Sequence, residues 1–381
     1  MKNKIIRVAA LSDSLRILLK GQLNYLNTHF EIIGVGSGIE SSKQLAIDEG
    51  IKTIPLRIER KISPVQDLNS LYKLYRLFRK EKPFMVHSIT PKAGLLSMLA
   101  AYFAGVPNRA HTFTGLVFPS RTGLMRRLLI FFNRIICFCA TDLYPEGQGV
   151  KNDLLNYKIT KKPLKIISNG NVNGIDVAHF NPDRFDRTAI NAKRDELNIA
   201  ADDFVFLFVG RLVSEKGITE LLDAFSELSR SRSDIKLVLV GPYENKHDPL
   251  PAATLKAIKT NVNVIETGFQ HDVRPYFAIC NVFVFPSYRE GFPNVVLQCG
   301  AMGKFSIVTD INGSNEIIES GVNGEIVPIQ NTEALKEAMS NCLKNKEVYQ
   351  ESNESIRGVI SKKYQQQIVW DGTLKEYLKK K

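Results

Sequence analysis

An acid, a proline and an amide stand at helix-compatible spacing in S-Y-R-E-G-F-P-N-V-V-L-Q, residues 287–298. Glu290 lies three residues ahead of Pro293, which we expect to be the first residue of a helix because proline needs no intrahelical partner for its nitrogen there. Gln298 follows on the same helix. The free N–H groups and the dipole of a helix start favour a phosphate. An acid beside such a start suits a ligand with phosphate and hydroxyl groups, such as a nucleotide-sugar. An ordinary helix start in an α/β fold gives the same spacing.

Two cations follow an apolar run in F-V-F-L-F-V-G-R-L-V-S-E-K-G, residues 204–217. Arg211 and Lys216 would lie on the loop after a buried strand, where Arg binds a diphosphate bidentately and Lys acts as a point charge. The alternative is a surface pair of Arg211 with Glu215 and a solvated Lys216. The chain has no D-x-D, no P-loop and no G-x-G-x-x-G at its first strand turn. We therefore expect Arg, Lys and helix N-termini to meet the charge of any diphosphate, with no cofactor and no divalent metal.

Polar residues also follow the predicted strands of the first half. His111 lies near the end of the fifth predicted strand, in H-T-F-T-G-L. It is suited to three roles: a proton carrier, a hydrogen-bond donor or a core residue. Lys92, in T-P-K-A-G, is able to meet an anionic ligand. The Gly/Asn-rich segment I-S-N-G-N-V-N-G-I-D mostly changes the direction of the chain. Residues 123–136, G-L-M-R-R-L-L-I-F-F-N-R-I-I, suit either an interfacial helix or core packing, and we expect core packing with the arginines facing water.

The composition indicates a globular intracellular protein. A chain of 381 residues, 44% of them hydrophobic, is long enough for two domains. Five cysteines without regular spacing indicate a reducing compartment, and Cys137 and Cys139 are expected in the core rather than on zinc. We find neither a convincing secretory signal nor a stretch of about 20 clean apolar residues, so we expect a cytoplasmic protein.

The charge is uneven along the chain. Residues 1–185 hold 27 Lys and Arg against 13 Asp and Glu, whereas the remainder holds 24 against 26. Such a basic first half indicates an anionic partner, either an acidic membrane leaflet or a nucleic acid. A solvated basic surface without a partner is the third possibility. Nucleic-acid binding predicts aromatic residues interleaved with the basic ones on an exposed face, and most Phe and Tyr residues fall on apolar-periodic segments instead.

Alternation of β-rich and helical segments predicts an α/β protein with two doubly wound domains. We place the first domain at residues 1–183, the second at 184–361, and a final helix at 362–381 that packs back on the first. A cleft at the carboxyl ends of the strands would bind ligands. The predicted strands are 5–11, 31–36, 52–58, 84–89, 109–114, 141–144, 165–168, 204–210, 235–241, 262–268, 282–286 and 305–310.

Five blocks of the chain resemble the retaining glycosyltransferases of family 4, which have the GT-B fold of two Rossmann-like domains facing a cleft. The blocks are V-H-S-I-T-P-K-A-G-L-L-S-M-L-A-A, G-V-P-N-R-A-H-T-F-T-G-L, S-N-G-N-V-N-G-I-D, V-G-R-L-V-S-E-K-G and S-Y-R-E-G-F-P-N-V-V-L-Q with its continuation V-T-D-I-N-G-S-N-E-I-I. Their order and spacing span nearly the whole chain. The chain is most similar to bacterial members that extend lipid-linked precursors of capsule or O-antigen.

The resemblance implies roles for individual residues. Arg211 and Lys216 would hold the donor diphosphate and Glu290 the hydroxyls of the donor sugar. Gln298 stands where the family usually has an acid that meets the ribose, and Thr114 stands where many relatives have a histidine, so Thr114 or His111 would replace it. The first strand turn also lacks the family's glycine pair. Further donor contacts would come from Gly268, Phe269, Gly291, Phe292, Pro293, Asn294 and Val295, and the acceptor side from Thr90, Lys92, Gly115 and Asn169.

The activity implied is transfer, with retention, of a hexosyl or N-acetylhexosaminyl unit from a nucleotide diphosphate sugar to a lipid-diphosphate-linked saccharide. The basic first domain would face the inner leaflet of the plasma membrane, which makes the protein a peripheral one, and no nucleic acid is expected as a partner. A sugar-nucleotide epimerase or hydrolase of the same fold is the nearest alternative, and it requires proton-handling groups in the cleft. A basic nucleic-acid-binding protein is the alternative from another class.

Overall fold

The computed structural model describes residues 2–59, 63–244 and 248–380, and it divides the chain into two compact units. The first unit contains the residues up to Gly174 and those from Gln366 onward, and the second is Ile175–Gln365. The first division falls nine residues before the predicted boundary after residue 183. It lies there because the N–H of Ile175 donates to the carbonyl of Tyr364 at 2.7 Å, which ties the segment after Gly174 to the second unit.

The first unit contains a six-stranded parallel sheet in the order β3-β2-β1-β4-β5-β6. Along β1, Ile6 and Val8 face one apolar cluster while Ile5 and Ala9 face another, so both faces of the sheet are covered, as parallel sheets require. The strands are β1 Lys4–Leu11, β2 Glu31–Ser37, β3 Lys52–Pro55, β4 Met85–Ile89, β5 Asn108–Phe113 and β6 Asp142–Pro145.

Helices cover both faces of this sheet, and one predicted strand is absent. Residues 165–168 form no strand; Leu164 makes a single isolated bridge to Leu143, and Ser168 has a φ of +52°, which no extended strand allows. The helices are α1 Ser12–Leu18, α2 Gln22–Asn27, α3 Ile39–Glu49, α4 Pro64–Glu81, α5 Pro91–Phe103, α6 Gly123–Cys139 and α7 Gln148–Asn156.

The second unit repeats the architecture with a parallel sheet in the order β12-β11-β10-β7-β8-β9. Every residue of β7 is buried, which fits its unbroken apolar run F-V-F-L-F-V. The strand β12 was not predicted because its four residues follow a V-N-G turn and carry no alternation. The strands are β7 Phe204–Val209, β8 Ile235–Val240, β9 Val264–Gly268, β10 Val282–Phe285, β11 Phe305–Thr309 and β12 Gly324–Val327. Two doubly wound parallel sheets confirm the predicted α/β fold class.

The helices of the second unit are α8 Arg187–Glu196, α9 Ile218–Ser229, α10 Ala252–Thr260, α11 Arg274–Ile279, α12 Asn294–Ala301, α13 Ser314–Ile317, α14 Thr332–Lys344 and α15 Glu354–Tyr364. A final helix, α16 Gln366–Leu378, belongs to the first unit, and it begins at residue 366 rather than at the predicted 362. Its Tyr377 is fully buried, with its hydroxyl 2.6 Å from Nδ1 of His87. The indole of Trp370 covers Gly21, where a Cβ would lie 2.7 Å from the ring.

Candidate functional site

The strand order of the second sheet reverses between β7 and β10, which are neighbours although they are far apart in sequence. Open α/β sheets bind ligands at such a switch point, beyond the carboxyl ends of the strands. The loops that leave these two strands meet there, because the N–H of Tyr288 donates to the carbonyl of Glu215 at 2.9 Å. The cations predicted after β7 and the acid predicted after β10 are thereby brought to one place.

Gly217 explains why the two loops approach so closely. It has a φ of +70°, and a Cβ on it would lie only 2.1 Å from the carbonyl oxygen of Pro286. A residue with a side chain would therefore be strained in its backbone and would also collide with the neighbouring loop. The glycine at the end of V-S-E-K-G is required for the contact between the loops.

An ion pair between Lys216 and Glu290 joins the two loops. Both side chains are mostly buried, with 13% and 18% of their surfaces exposed. Ser287 also holds this carboxylate: its Oγ donates a hydrogen bond, at 2.9 Å, to Oε1 of Glu290, the oxygen that pairs with Lys216. The ammonium of Lys216 also lies 5.3 Å from the centre of the Phe285 ring. The acid and the cation are thus held in fixed positions at the switch point.

Arg211 is half exposed and is shared between two carboxylates. Its guanidinium pairs with Glu244 and reaches Glu215 Oε1 at 3.4 Å. Arg289 contacts the other oxygen of Glu215 at 3.2 Å. The surface pair of Arg211 with Glu215 that the sequence left open therefore exists. A diphosphate that takes Arg211 must compete with these acids.

The helix α12 begins beside this cluster. It starts at Asn294, so Pro293 is the residue before the helix and not its first residue, which corrects the sequence prediction by one position. The ψ of Pro293 is 106°, an extended value that keeps it outside the helix. The residue before the helix, Pro293, makes no side-chain hydrogen bond to it, and the N-terminus of a helix favours an anion through its dipole and its N–H groups.

The loop before α12 is supported from behind by Gly313, whose φ is +77°. A Cβ on Gly313 would lie 2.6 Å from the carbonyl oxygen of Gly291 and equally close to Cα of Phe292. This support fixes the backbone of residues 291–293 against the loop that follows β11. Gln298 is half-buried on α12, and none of the hydrogen bonds found among the described residues involves its side chain amide. Val295 and Asn294 are half-buried in the first turn of the same helix.

Gly268 and Phe269 lie at the same edge of the sheet, but two strands away from β7. Gly268 ends β9 with a φ of +66°, and its carbonyl accepts from Gly241 N at 2.8 Å. The Phe269 ring is 61% exposed and contacts the ring of His271 edge-on. A large exposed aromatic ring at a strand end offers a stacking surface for a planar group.

The remaining predicted residues lie in the first unit. Its sheet reverses between β1 and β4, and Thr90 follows β4 with the unusual φ of +78° while its Oγ1 accepts from Ala10 N at 3.2 Å. Lys92 forms an ion pair with Asp67 at 2.6 Å, and both side chains are mostly buried. An anionic ligand at Lys92 would therefore have to replace an existing carboxylate. Asn169 is exposed in the turn before Gly170.

Of the roles considered for His111, its surroundings favour that of a core residue. Its ring is buried, with Nδ1 2.8 Å from Ser88 Oγ, and Gly94 lies so close that a Cβ there would be 2.3 Å from the imidazole. Burial lowers the pKa of His111 to about 3, so the ring is neutral near physiological pH. Thr114 and Gly115 follow it at the end of β5, where both are half-buried and line a small cavity with Leu129 and Asn133 of α6.

Three residues of the second-unit site were not singled out from the sequence. Arg289 and Gly313 lie inside the sequence blocks quoted above, but the predictions used the residues next to them. A basic residue beside Glu290 and a glycine in a loop were the signals that could have identified them. Glu244 gave no signal, because its contact with Arg211 joins two loops that are distant in the chain. No set of three or more His, Cys, Asp or Glu side chains in the described ranges is placed to hold a metal ion. Among the same residues, no helix is both long and apolar enough to cross a bilayer.

Two parallel doubly wound sheets in series, with charged loops at the switch point of the second, define the class of GT-B proteins. Residues 7–138 match the family model "Glycosyl transferase 4-like", and residues 189–358 match "Glycosyl transferases group 1". The chain is 30% identical, over 374 residues, to the capsular polysaccharide biosynthesis glycosyltransferase CapM of Staphylococcus aureus. This alignment covers 97% of this chain and 96% of CapM. It therefore belongs to the GT-B glycosyltransferases of the family 4 type, which confirms the resemblance.

Other comparisons agree with this assignment. The chain is 28% identical over 285 residues to the Escherichia coli UDP-Gal:alpha-D-GlcNAc-diphosphoundecaprenol alpha-1,3-galactosyltransferase, over 74% of this chain and 71% of that one. The fold matches a glycosyltransferase from Rickettsia africae with a TM-score of 0.82 at 20% identity, over 100% and 98% of the two chains. It also matches Anabaena HepE in complex with UDP-glucose with a TM-score of 0.81 at 17% identity, over 99% of each.

Proposed function

We propose that this glycosyltransferase moves a hexosyl or N-acetylhexosaminyl unit from a nucleotide diphosphate sugar to a hydroxyl of a lipid-diphosphate-linked saccharide, with retention at the anomeric carbon. The observation that carries the proposal is the meeting of Lys216, Glu290 and the start of α12 at the switch point of the second sheet. A cation, an acid and a helix N-terminus at one strand edge are the groups that a phosphorylated sugar requires.

The donor diphosphate would lie between Lys216, Arg211 and the first amides of α12. As the bond between the anomeric carbon and the diphosphate oxygen breaks, negative charge grows on the leaving group, and fixed positive groups stabilise it. The acceptor hydroxyl forms the new bond to the anomeric carbon, and its proton passes to the departing diphosphate. The two cations and the helix start supply this stabilisation from the protein itself, and we propose that no divalent ion is needed.

The remainder of the donor would extend along the same edge. Glu290, held by Ser287, would accept hydrogen bonds from sugar hydroxyls. Gln298 would bond a ribose hydroxyl through its amide, which can both donate and accept. Phe269 and the backbone of Gly268 would meet the base. The names of the relatives support a nucleotide-sugar donor, since one includes UDP-Gal and one structural neighbour binds UDP-glucose.

The acceptor would bind at the first unit, near Thr90, Thr114 and Gly115 at the carboxyl ends of β4 and β5. Diphospho-undecaprenol appears in the names of several relatives, among them the E. coli galactosyltransferase and an N-acetylgalactosaminyltransferase of Campylobacter jejuni. Together with the likeness to CapM, this supports a role in capsule, O-antigen or related polysaccharide biosynthesis. An acceptor of this kind lies in a membrane, so we propose that the basic first unit works at an anionic bilayer surface.

The experiment is a transfer assay with product analysis. The purified protein is incubated with a panel of nucleotide diphosphate sugars and undecaprenyl-diphosphate-linked saccharides, with and without EDTA. We expect one donor to give a lipid product heavier by one sugar residue, insensitive to EDTA, with the anomeric configuration of the donor by NMR. Free sugar without a lipid product would identify a hydrolase instead, and an epimerised nucleotide-sugar would identify an epimerase.

A further inference from the structure

The helix α6 has an apolar stripe that faces away from the core of its unit. Leu124, Leu128, Phe131 and Phe138 follow one another at spacings of four, three and seven residues, which puts them on one side of the helix. Leu124 is 81% exposed, Phe131 56% and Phe138 66%. Ile136, Cys137 and Cys139 of the same helix are buried in the core. The core packing that we expected from the sequence therefore accounts for only one of two apolar faces.

The end of α5 extends this apolar surface. Tyr102 and Phe103 are 42% and 66% exposed, and the ring centre of Phe138 lies 5.7 Å from that of Tyr102. Scattered single apolar residues are normal on a protein surface, but a cluster of large aromatic side chains marks a contact with another phase or molecule. Tyr102, Phe103 and Phe138 form one continuous patch with the stripe on α6.

Arginines border the patch. Arg127 and Arg134 are exposed on α6, seven residues apart and next to the stripe, and the guanidinium of Arg109 lies 5.5 Å from the Tyr102 ring centre. The sequence has no Asp or Glu from residue 82 to residue 141, whereas it has seven Lys and Arg there. Apolar and aromatic residues flanked by arginine suit the boundary between acyl chains and anionic head groups. A protein partner would more commonly be matched by charges of both signs.

We infer that α6 lies flat in the surface of an anionic bilayer, with Leu124, Phe131 and Phe138 below the head groups and Arg127 and Arg134 on the lipid phosphates. The proposal deepens the membrane partnership proposed above by assigning it to a defined surface. The segment 114–122 runs from the end of β5 to the start of α6, and Leu129 and Asn133 of α6 line one cavity with Thr114 and Gly115. A docked α6 would therefore place the proposed acceptor loop next to the lipid head groups.

The test is co-sedimentation of the full chain with vesicles of phosphatidylcholine alone or mixed with phosphatidylglycerol, over a range of salt concentrations. We expect binding to the anionic vesicles, and a loss of about tenfold in affinity for each phenyl ring removed in a Phe131→Ser/Phe138→Ser variant. The Arg127→Ala/Arg134→Ala variant should lose most of the salt dependence. A Val262→Ser variant removes an apolar side chain that is 90% exposed in the second unit, and it should bind like the unmodified protein.

Equal vesicle binding by the unmodified protein and the double Phe variant would overturn the inference. A second result would also overturn it: the unmodified protein binds no vesicles and is a dimer by light scattering, and the double Phe variant is a monomer. A second copy of the chain, rather than a bilayer, would then cover the patch. Transfer to a short-chain, water-soluble acceptor separates the two proposals. We expect the double Phe variant to retain transfer to this acceptor. If neither the unmodified protein nor any variant transfers a sugar to it, that result would count against the proposed function and not against the membrane surface.

Discussion

Replacement of Lys216 by Ala removes one of the two cations proposed for the leaving diphosphate. Its ammonium pairs with Glu290 between two mostly buried side chains, so it is held in place before any ligand arrives. Loss of one such preorganised group costs about 3–4 kcal/mol of transition-state stabilisation, a decrease of roughly 10²–10³-fold in kcat. The variant also removes the cation that pairs with the mostly buried Glu290 carboxylate, so the free energy of unfolding should fall by about 1.5–3 kcal/mol.

Steady-state kinetics of nucleoside diphosphate release, together with urea unfolding, measure the two effects separately. A matched control is Lys336→Ala, because Lys336 pairs with Glu227 at 2.8 Å and Glu333 at 2.6 Å on the helices α9 and α14, not at the β7–β10 edge. This control should leave kcat unchanged. The reasoning would be refuted by a folded Lys216→Ala protein whose kcat stays within about threefold of the unmodified value.

Four further changes have defined outcomes. Gln298→Glu should change the affinity for the nucleotide, measured by calorimetry, and an unchanged affinity for every nucleotide would remove Gln298 from the ribose site. Glu244→Gln should lower KM for the donor, because Arg211 loses a competing carboxylate; a raised KM would contradict that competition. Gly217→Ala should destabilise the fold by about 3 kcal/mol or more in urea titrations, whereas Gly358→Ala, at a helical position with open space around it, should not. Burial lowers the pKa of His111 to about 3, so between pH 6.5 and about 3 this residue binds a proton in the unfolded chain but stays neutral in the folded one. Its contribution to the free energy of unfolding should therefore fall by about 1.4 kcal/mol for each unit by which the pH is lowered in this range; an NMR titration showing His111 protonated above pH 6 would contradict this.

The sequence was sufficient to predict the two sheets and the loops at the second switch point. Buried parallel strands such as β7 are unbroken apolar runs, and the cations and the acid directly follow two of them. The strand β12 escaped prediction because four residues give too little periodicity, and residues 165–168 were predicted wrongly because an apolar pair preceded a left-handed Ser168.

Contacts between distant segments account for the rest. The burial of His111 depends on how closely Gly94 of α5 approaches it, and no local pattern encodes that distance. Glu244 reaches Arg211 from another loop for the same reason. The helix α6 is apolar on two sides, and only the packing of one side against the sheet reveals that the other is exposed.

A crystal structure of the protein with a nucleotide diphosphate, grown in the presence of a chelator, tests most directly where the donor binds. We expect the phosphates within hydrogen-bonding distance of Lys216 Nζ and of the first amides of α12. Density for the nucleotide in the first unit alone, or binding that returns only when a divalent ion is added, would contradict the proposed site.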